Sequence, residues 1–266
     1  RRTVVRMAHP MSAEMAVMRR SMLPGLLRAV ARNQSYQRTD GGLFEIGRTY
    51  APREDGQADE RTWLAAVVFG RFGPDGWRDT PRPVDVHAVT GLAATLARAA
   101  GVRVEAGPNA ARYFHPVRQA RLTAGEAVIG WAAEMHPLVL RDFGVDGPVG
   151  AIVIDLDALL GASPGHPAYE DLLTVPVSTR DLALLVAEGV PAADLVGVAR
   201  EAGAPLVREV RVFDRYAGEQ VGEGHVSLAL RLSLADPGRT LTDEEIQTAV
   251  GRVRDALASR GANLRS

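Results

Sequence analysis

Residues 225–234, HVSLALRLSL, alternate: Val226, Leu228, Leu230, Leu232 and Leu234 are apolar, and His225, Ser227, Ala229, Arg231 and Ser233 are small or polar. Period two with one apolar face predicts a strand covered on one side only. Upstream, TRDLALLV (179–186) predicts a strand and PAADLVGVAREAG (191–203) a helix. In that helix Leu195, Val198, Ala199 and Ala202 fall at i, i+3, i+4 and i+7, and Gly203 suits the stop. Another strand is predicted at about 206–216. Downstream, TDEE places Thr242 as N-cap with Glu245 three residues on, a capping box. Ile246, Ala249, Val250, Val253 and Leu257 form the apolar stripe of that helix, Gly261 ends it, and ANLRS returns as a last strand. The order is βαββαβ, the ferredoxin-like split arrangement. Both helices then cover one sheet face, and the other keeps small and polar side chains, which suits a binding platform.

The N-terminal half is longer and less regular. LPGLLRAVARN (23–33) predicts a helix with Pro24 near its start. LFEIGRTY and TWLAAVVFG read as strands. DVHAVTGLAATLARAAG (85–101) predicts a helix with Val86, Val89, Ala93 and Leu96 on its apolar side and Gly101 as the C-terminal cap. VRQARLTAGEAVIGWAAE reads as a hairpin turning near Ala124-Gly125-Glu126, and GAIVIDLDALL as one more strand. This mix predicts an α+β domain on a mainly antiparallel sheet. Gly, Pro and Ser gather in GASPGHPAYED (161–171), which marks a linker. The expected organisation is a core domain at 1–160, a linker at 161–175 and a ferredoxin-like domain at 176–266.

Composition narrows the function classes. With 46% hydrophobic and 24% charged residues the chain reads as globular. No apolar run approaches the ~20 residues of a membrane span. Cysteine is absent, which removes disulfides, thiolate nucleophiles and Cys-ligated zinc and fits the cytoplasm. The formal net charge of −1 gives no bulk field for nucleic acid. All 31 cationic residues are arginine, so no lysine is present for a Schiff base or a P-loop.

Catalytic patterns fail on inspection. Gly161, Ser163 and Gly165 fit G-x-S-x-G, but Pro164 follows the serine and lacks the N–H that such an oxyanion hole needs. His115, His136 and His166 each precede proline and read as turns; no metal-ligand spacing accompanies them. No Walker or dinucleotide-binding pattern occurs, and no catalytic residue, metal or cofactor is assigned to this chain. Arg19, Arg20, Arg28 and Arg32 cluster at the first helix, where a solvated face is the simple reading and contact with RNA or an acidic partner the sharper one.

What remains is VRVFDRYAGEQ (210–220), a strand running into a turn with Asp214 and Tyr216 displayed together. A half-buried strand end explains them. So does recognition of an unpaired base, with the tyrosine stacking and the carboxylate accepting from the base edge.

Longer blocks bear on the choice. STRDLALLV, VFDRYAGEQVGEGHVSLALRLSL and DPGRTLTDEEI resemble, in order and spacing, the ferredoxin-like anticodon-binding domain of phenylalanyl-tRNA synthetases. HPMSAEMAVMRRSMLPGLLRAVARN, LFEIGRTY, YFHPVRQARL, VIGWAAEMHP and IDLDALL resemble the class II synthetase-like core of the bacterial β subunit. The resemblance covers essentially the whole chain. It implies a core without catalytic residues, an α subunit carrying catalysis, an (αβ)2 heterotetramer, tRNA-Phe as RNA partner, and a reaction that uses ATP and Mg²⁺ elsewhere in the enzyme. It implies no membrane or DNA partner, and further β-subunit modules upstream of this portion. It places Tyr216 on the first anticodon base and Asp214 at that base's edge, with Arg180, Ser227 and Arg239 on the surrounding surface.

Some positions depart from the family pattern. His9 stands where asparagine is common, Val117 and Gln119 replace a glycine and a serine, and Val226 stands where a lysine is common, removing a charge near the RNA surface. The competing expectation is a free-standing interaction or RNA-binding protein that keeps this fold without aminoacylation. A small-molecule regulatory module would want a glycine-rich loop after the first ferredoxin-like strand, where the sequence has AEGVPAAD.

Overall fold

The computed structural model describes residues 4–13, 16–55, 57–74, 76–165 and 174–265. The chain divides into two compact units, Arg1–Ala168 and Tyr169–Ser266. Both have the expected α+β character with antiparallel sheets. His166 and most of the glycine- and proline-rich stretch around it lie outside the described residues.

The first unit runs α1 (Leu23–Ser35), β1 (Gly41–Pro52), β2 (Ala58–Phe69), the short pair β3 (Arg71–Phe72) and β4 (Arg82–Pro83), α2 (Val86–Ala99), β5 (Glu105–Pro108), β6 (Phe114–Ala124), β7 (Ala127–Met135), α3 (Pro137–Asp142), β8 (Val149–Asp155) and α4 (Leu156–Gly161). Six strands form one sheet in the order β1-β2-β8-β7-β6-β5, every neighbour antiparallel. Both faces of its centre are buried, which is why β2 and β8 read as nearly continuous apolar runs. On one face Ala65, Val67, Ala133 and Ala151 pack with Leu26, Leu27 and Val30 of α1 and Leu140 of α3. On the other, Ile129, Ile152 and Ile154 pack with Val89, Ala93 and Ala97 of α2 and Leu159 of α4.

Two sequence expectations fail here. Ala97, not Leu96, continues the buried face of α2, and Leu96 is exposed. The small Ala93 and Ala97 let the helix approach the sheet and leave the bulkier leucine outside. The strand expected through GAIVIDLDALL stops at Asp155, whose carboxylate accepts the Ala158 N–H at 3.0 Å and caps α4. Gly101 does end α2: it sits at φ +73°, and the Val102 N–H reaches back to the Ala97 carbonyl.

The second unit runs β9 (Ser178–Ala187), α5 (Ala192–Gly203), β10 (Val207–Tyr216), β11 (His225–Leu234), α6 (Asp243–Ala258) and β12 (Asn263–Leu264). Its sheet order, β10-β11-β9-β12, is that of the βαββαβ arrangement. Leu182, Leu184, Val186 and all five apolar residues of β11 join Leu195 and Ala199 of α5 and Ile246, Ala249, Val253 and Leu257 of α6 in one core. The capping box forms as the sequence predicts, with the Glu245 N–H donating to the Thr242 hydroxyl and the Thr242 N–H to the Glu245 carboxylate. Gly203 acts by size: an added Cβ would collide with the side chain of Val207 and press on that of Val253.

Candidate nucleic-acid interface

The face of the second sheet turned away from α5 and α6 is built row by row. Ser227, Ala229, Arg231 and Ser233 of β11 stand opposite Leu185, Ala183, Asp181 and Thr179 of β9. On the other side of β11 lies the edge strand β10. Its register is regular at Val210–Leu232, Arg211–Arg231 and Val212–Leu230, then shifts, so that Asp214 meets Ala229, Arg215 meets Leu228 and Tyr216 meets Ser227. Phe213 is the extra residue of a β-bulge. Unbroken alternation from Val210 and Val212 would send Asp214 and Tyr216 towards the helices. The bulge reverses this and puts both on the open face.

Tyr216 ends the strand, 40% exposed. Its ring lies so close to the Gly218 backbone that an added Cβ there would strike the ring, and the Arg265 guanidinium sits 5.8 Å from the ring centroid. The Arg231 guanidinium lies 4.8 Å from the centroid of the half-exposed Phe213 and makes two parallel bonds to the Asp181 carboxylate, at 2.8 and 2.7 Å. That fork holds the Asp181 carboxyl below its usual pKa and raises that of Arg231.

This face offers aromatic rings, a carboxylate and small residues between them, a composition suited to an unpaired base. A family model described as the ferredoxin-fold anticodon binding domain matches residues 174–265. A second, the phenylalanyl tRNA synthetase beta chain CLM domain, matches residues 1–156. The chain belongs to the phenylalanyl-tRNA synthetase beta chain family. Among its relatives, the phenylalanine–tRNA ligase beta subunit of Syntrophotalea carbinolica is 34% identical over 100% of this chain and 34% of that one. Those of Moorella thermoacetica and Symbiobacterium thermophilum are each 37% identical, over 99% and 100% of this chain and 33% and 30% of theirs. The chain thus spans about a third of these relatives' length. A pyrrolysyl-tRNA synthetase structure from Desulfitobacterium hafniense aligns with 59% of this chain and 52% of that one at 16% identity and a TM-score of 0.45, too distant to add to these assignments.

The structure brings together three of the five site residues named from the sequence. Asp214, Tyr216 and Ser227 share the open face, with Ser227 buried directly opposite Tyr216. Arg180 does not join them. It pairs with Leu232 in a core-facing row and reaches towards Asp243 in the first turn of α6, 3.9 Å away. Arg239 lies beyond the far end of β11, where its guanidinium forks onto the Glu245 carboxylate at 2.9 and 2.6 Å. The sequence reading missed Phe213, Arg231, Asp181 and Arg265. Their signal is cross-strand: it needs the register, and the sequence does not print the bulge.

The first unit holds a cavity of about 460 Å³ lined by Trp63, Trp131, Tyr113, Phe143 and Arg20 among others; among the described residues no carboxylate and no histidine stands in its wall. Ser163 donates its hydroxyl proton to the Ala100 carbonyl at 2.6 Å. His115 and His136 accept backbone N–H groups at Nδ1 and shape local turns. Among the described residues no three His, Asp or Glu side chains are grouped so as to hold a metal ion, and no helix is long and apolar enough to cross a membrane.

Proposed function

We propose that this chain is a non-catalytic part of the phenylalanine–tRNA ligase beta subunit. It contacts the anticodon of tRNA-Phe through the second unit and gives structural support to the enzyme through the first. The observation that carries the reading is the bulge at Phe213, which turns Asp214 and Tyr216 onto the open face of a domain that matches the anticodon-binding family. In this reading Tyr216 stacks on the first anticodon base and Asp214 accepts from its edge, worth about 1–3 kcal/mol for the stack alone. The class II-like core docks on an α subunit in an (αβ)2 assembly in the cytoplasm. That assembly joins phenylalanine to tRNA at the expense of ATP with Mg²⁺, and no residue of this chain is assigned to hold either.

The test is phenylalanine-dependent ATP–pyrophosphate exchange with the purified chain alone and with the α subunit supplied. The reading expects no exchange by the chain alone. Exchange by the isolated chain would place an active site on it and sink the proposal.

A further inference from the structure

The second unit holds just two aromatic residues between 174 and 265, Phe213 and Tyr216. Its core is wholly aliphatic, built from leucine, valine, isoleucine and alanine. Burial of an aromatic ring is a large source of folding free energy, yet both rings stay outside, 45% and 40% exposed, three residues apart on one edge strand. Each has an arginine guanidinium against it, Arg231 at 4.8 Å from Phe213 and Arg265 at 5.8 Å from Tyr216. One exposed ring is ordinary. Two, each braced by an arginine and both brought to the same end of β10, form a repeated device.

We propose that Phe213, braced by Arg231 and Asp181, is a second stacking platform on this sheet, receiving the unpaired nucleotide next to the one that Tyr216 holds. The inference rests on the reading of the open face as an RNA-binding surface. Strand rise sets the two rings about 7–10 Å apart along β10. That is wider than the ~3.4 Å step of a stacked strand, so the two nucleotides are held splayed, one per ring, as single-stranded RNA is commonly read. Arg231 serves as a brace. Its charge is met by the fork to Asp181 and its plane is fixed, so it orients the ring and leaves phosphate attraction to other groups. Stacking accepts any base; the platform therefore adds affinity and register, while edge recognition stays with Asp214.

The experiment titrates the anticodon stem-loop of tRNA-Phe against this chain by fluorescence anisotropy, using wild type, Tyr216→Ala, Phe213→Leu and Phe213→Trp. Stem-loops carrying a single abasic nucleotide on either side of the base assigned to Tyr216 complete the set. We expect Phe213→Leu to weaken binding about 5- to 150-fold, Phe213→Trp to bind as wild type, and one abasic position to cost nothing further once Phe213 is leucine. An unchanged urea midpoint for Phe213→Leu excludes a folding defect. Wild-type binding by Phe213→Leu, with Tyr216→Ala weakened, overturns the second platform and leaves the anticodon reading intact. RNA binding that is absent or indifferent to Tyr216→Ala, both for the chain alone and with the α subunit supplied, overturns the reading and the inference together.

Discussion

Val212 and Asp214, two residues apart on one strand, face opposite sides of their sheet. Val212 pairs with the core residue Leu230, and Asp214 with Ala229 on the open face. One extra residue, Phe213, makes the difference. A strand that begins by filling an aliphatic core thereby ends by displaying a carboxylate and a phenol.

Asp214→Asn tests edge recognition. The amide keeps the size but replaces one acceptor oxygen with a donor. Discrimination at the first anticodon base is expected to fall by about 1–3 kcal/mol, with stability unchanged because Asp214 is exposed. Competition titrations with stem-loops altered at that base measure it.

Gly203→Ala tests the packing of the second unit. The new methyl has no room between α5 and the side chains of Val207 and Val253. A loss of about 1–3 kcal/mol is expected, against the small gain that Gly→Ala normally brings to a helix. Urea denaturation reads the sign directly.

The buried Glu134 of the first unit makes a third test. It accepts from Arg118 Nε at 2.6 Å and from the Val86 N–H at 3.2 Å, tying β6 and β7 to the start of α2. Arg118→Met leaves that carboxylate short of its charged partner and is expected to cost about 1–3 kcal/mol. Glu134→Gln, whose amide still accepts from Val86, is expected to cost less. A reversed order in urea denaturation would contradict this.

Much of this was legible beforehand. The alternation of Val226–Leu234 and the Thr242–Glu245 box specify their elements locally, because strand period and capping are written in adjacent residues. Helix α4 was hidden because LDALL continues the apolar run of β8, and only the Asp155 cap divides them. The sequence put Leu96 on the buried side of α2, and the structure buries Ala97 in its place, because sheet contact, not hydrophobicity, chose the alanine. The site was half legible. Asp214 and Tyr216 stand out as residue types, whereas the Asp181–Arg231–Phe213 cluster exists only once three strands are in register and the bulge is in place. The family resemblance put Arg180 and Arg239 on the surrounding surface, yet the fold turns both to acidic partners near the start of α6.

Glu245 predicts a pH dependence. Arg239 and the Thr242 N–H hold its carboxyl at about 2, against an ordinary value of 4.5. A carboxyl depressed in the folded state binds its proton more readily when unfolded, so its stabilisation is complete above about 4.5 and lost as the pH falls towards 2. Urea midpoints of the wild type should fall through that window. Glu245→Gln should lose stability at neutral pH and flatten this part of the profile; an unaltered profile would show that the Arg239–Glu245 fork contributes nothing.

The central claim is that the end of β10 reads an anticodon base. Its most direct test is a two-by-two titration by fluorescence anisotropy: wild type and Tyr216→Ala, each against the native tRNA-Phe stem-loop and one altered at the first anticodon base, with and without the α subunit. The account predicts tighter binding of the native loop by wild type, and loss of that preference in Tyr216→Ala. Equal preference in the two proteins, with α present as well as without it, would contradict it.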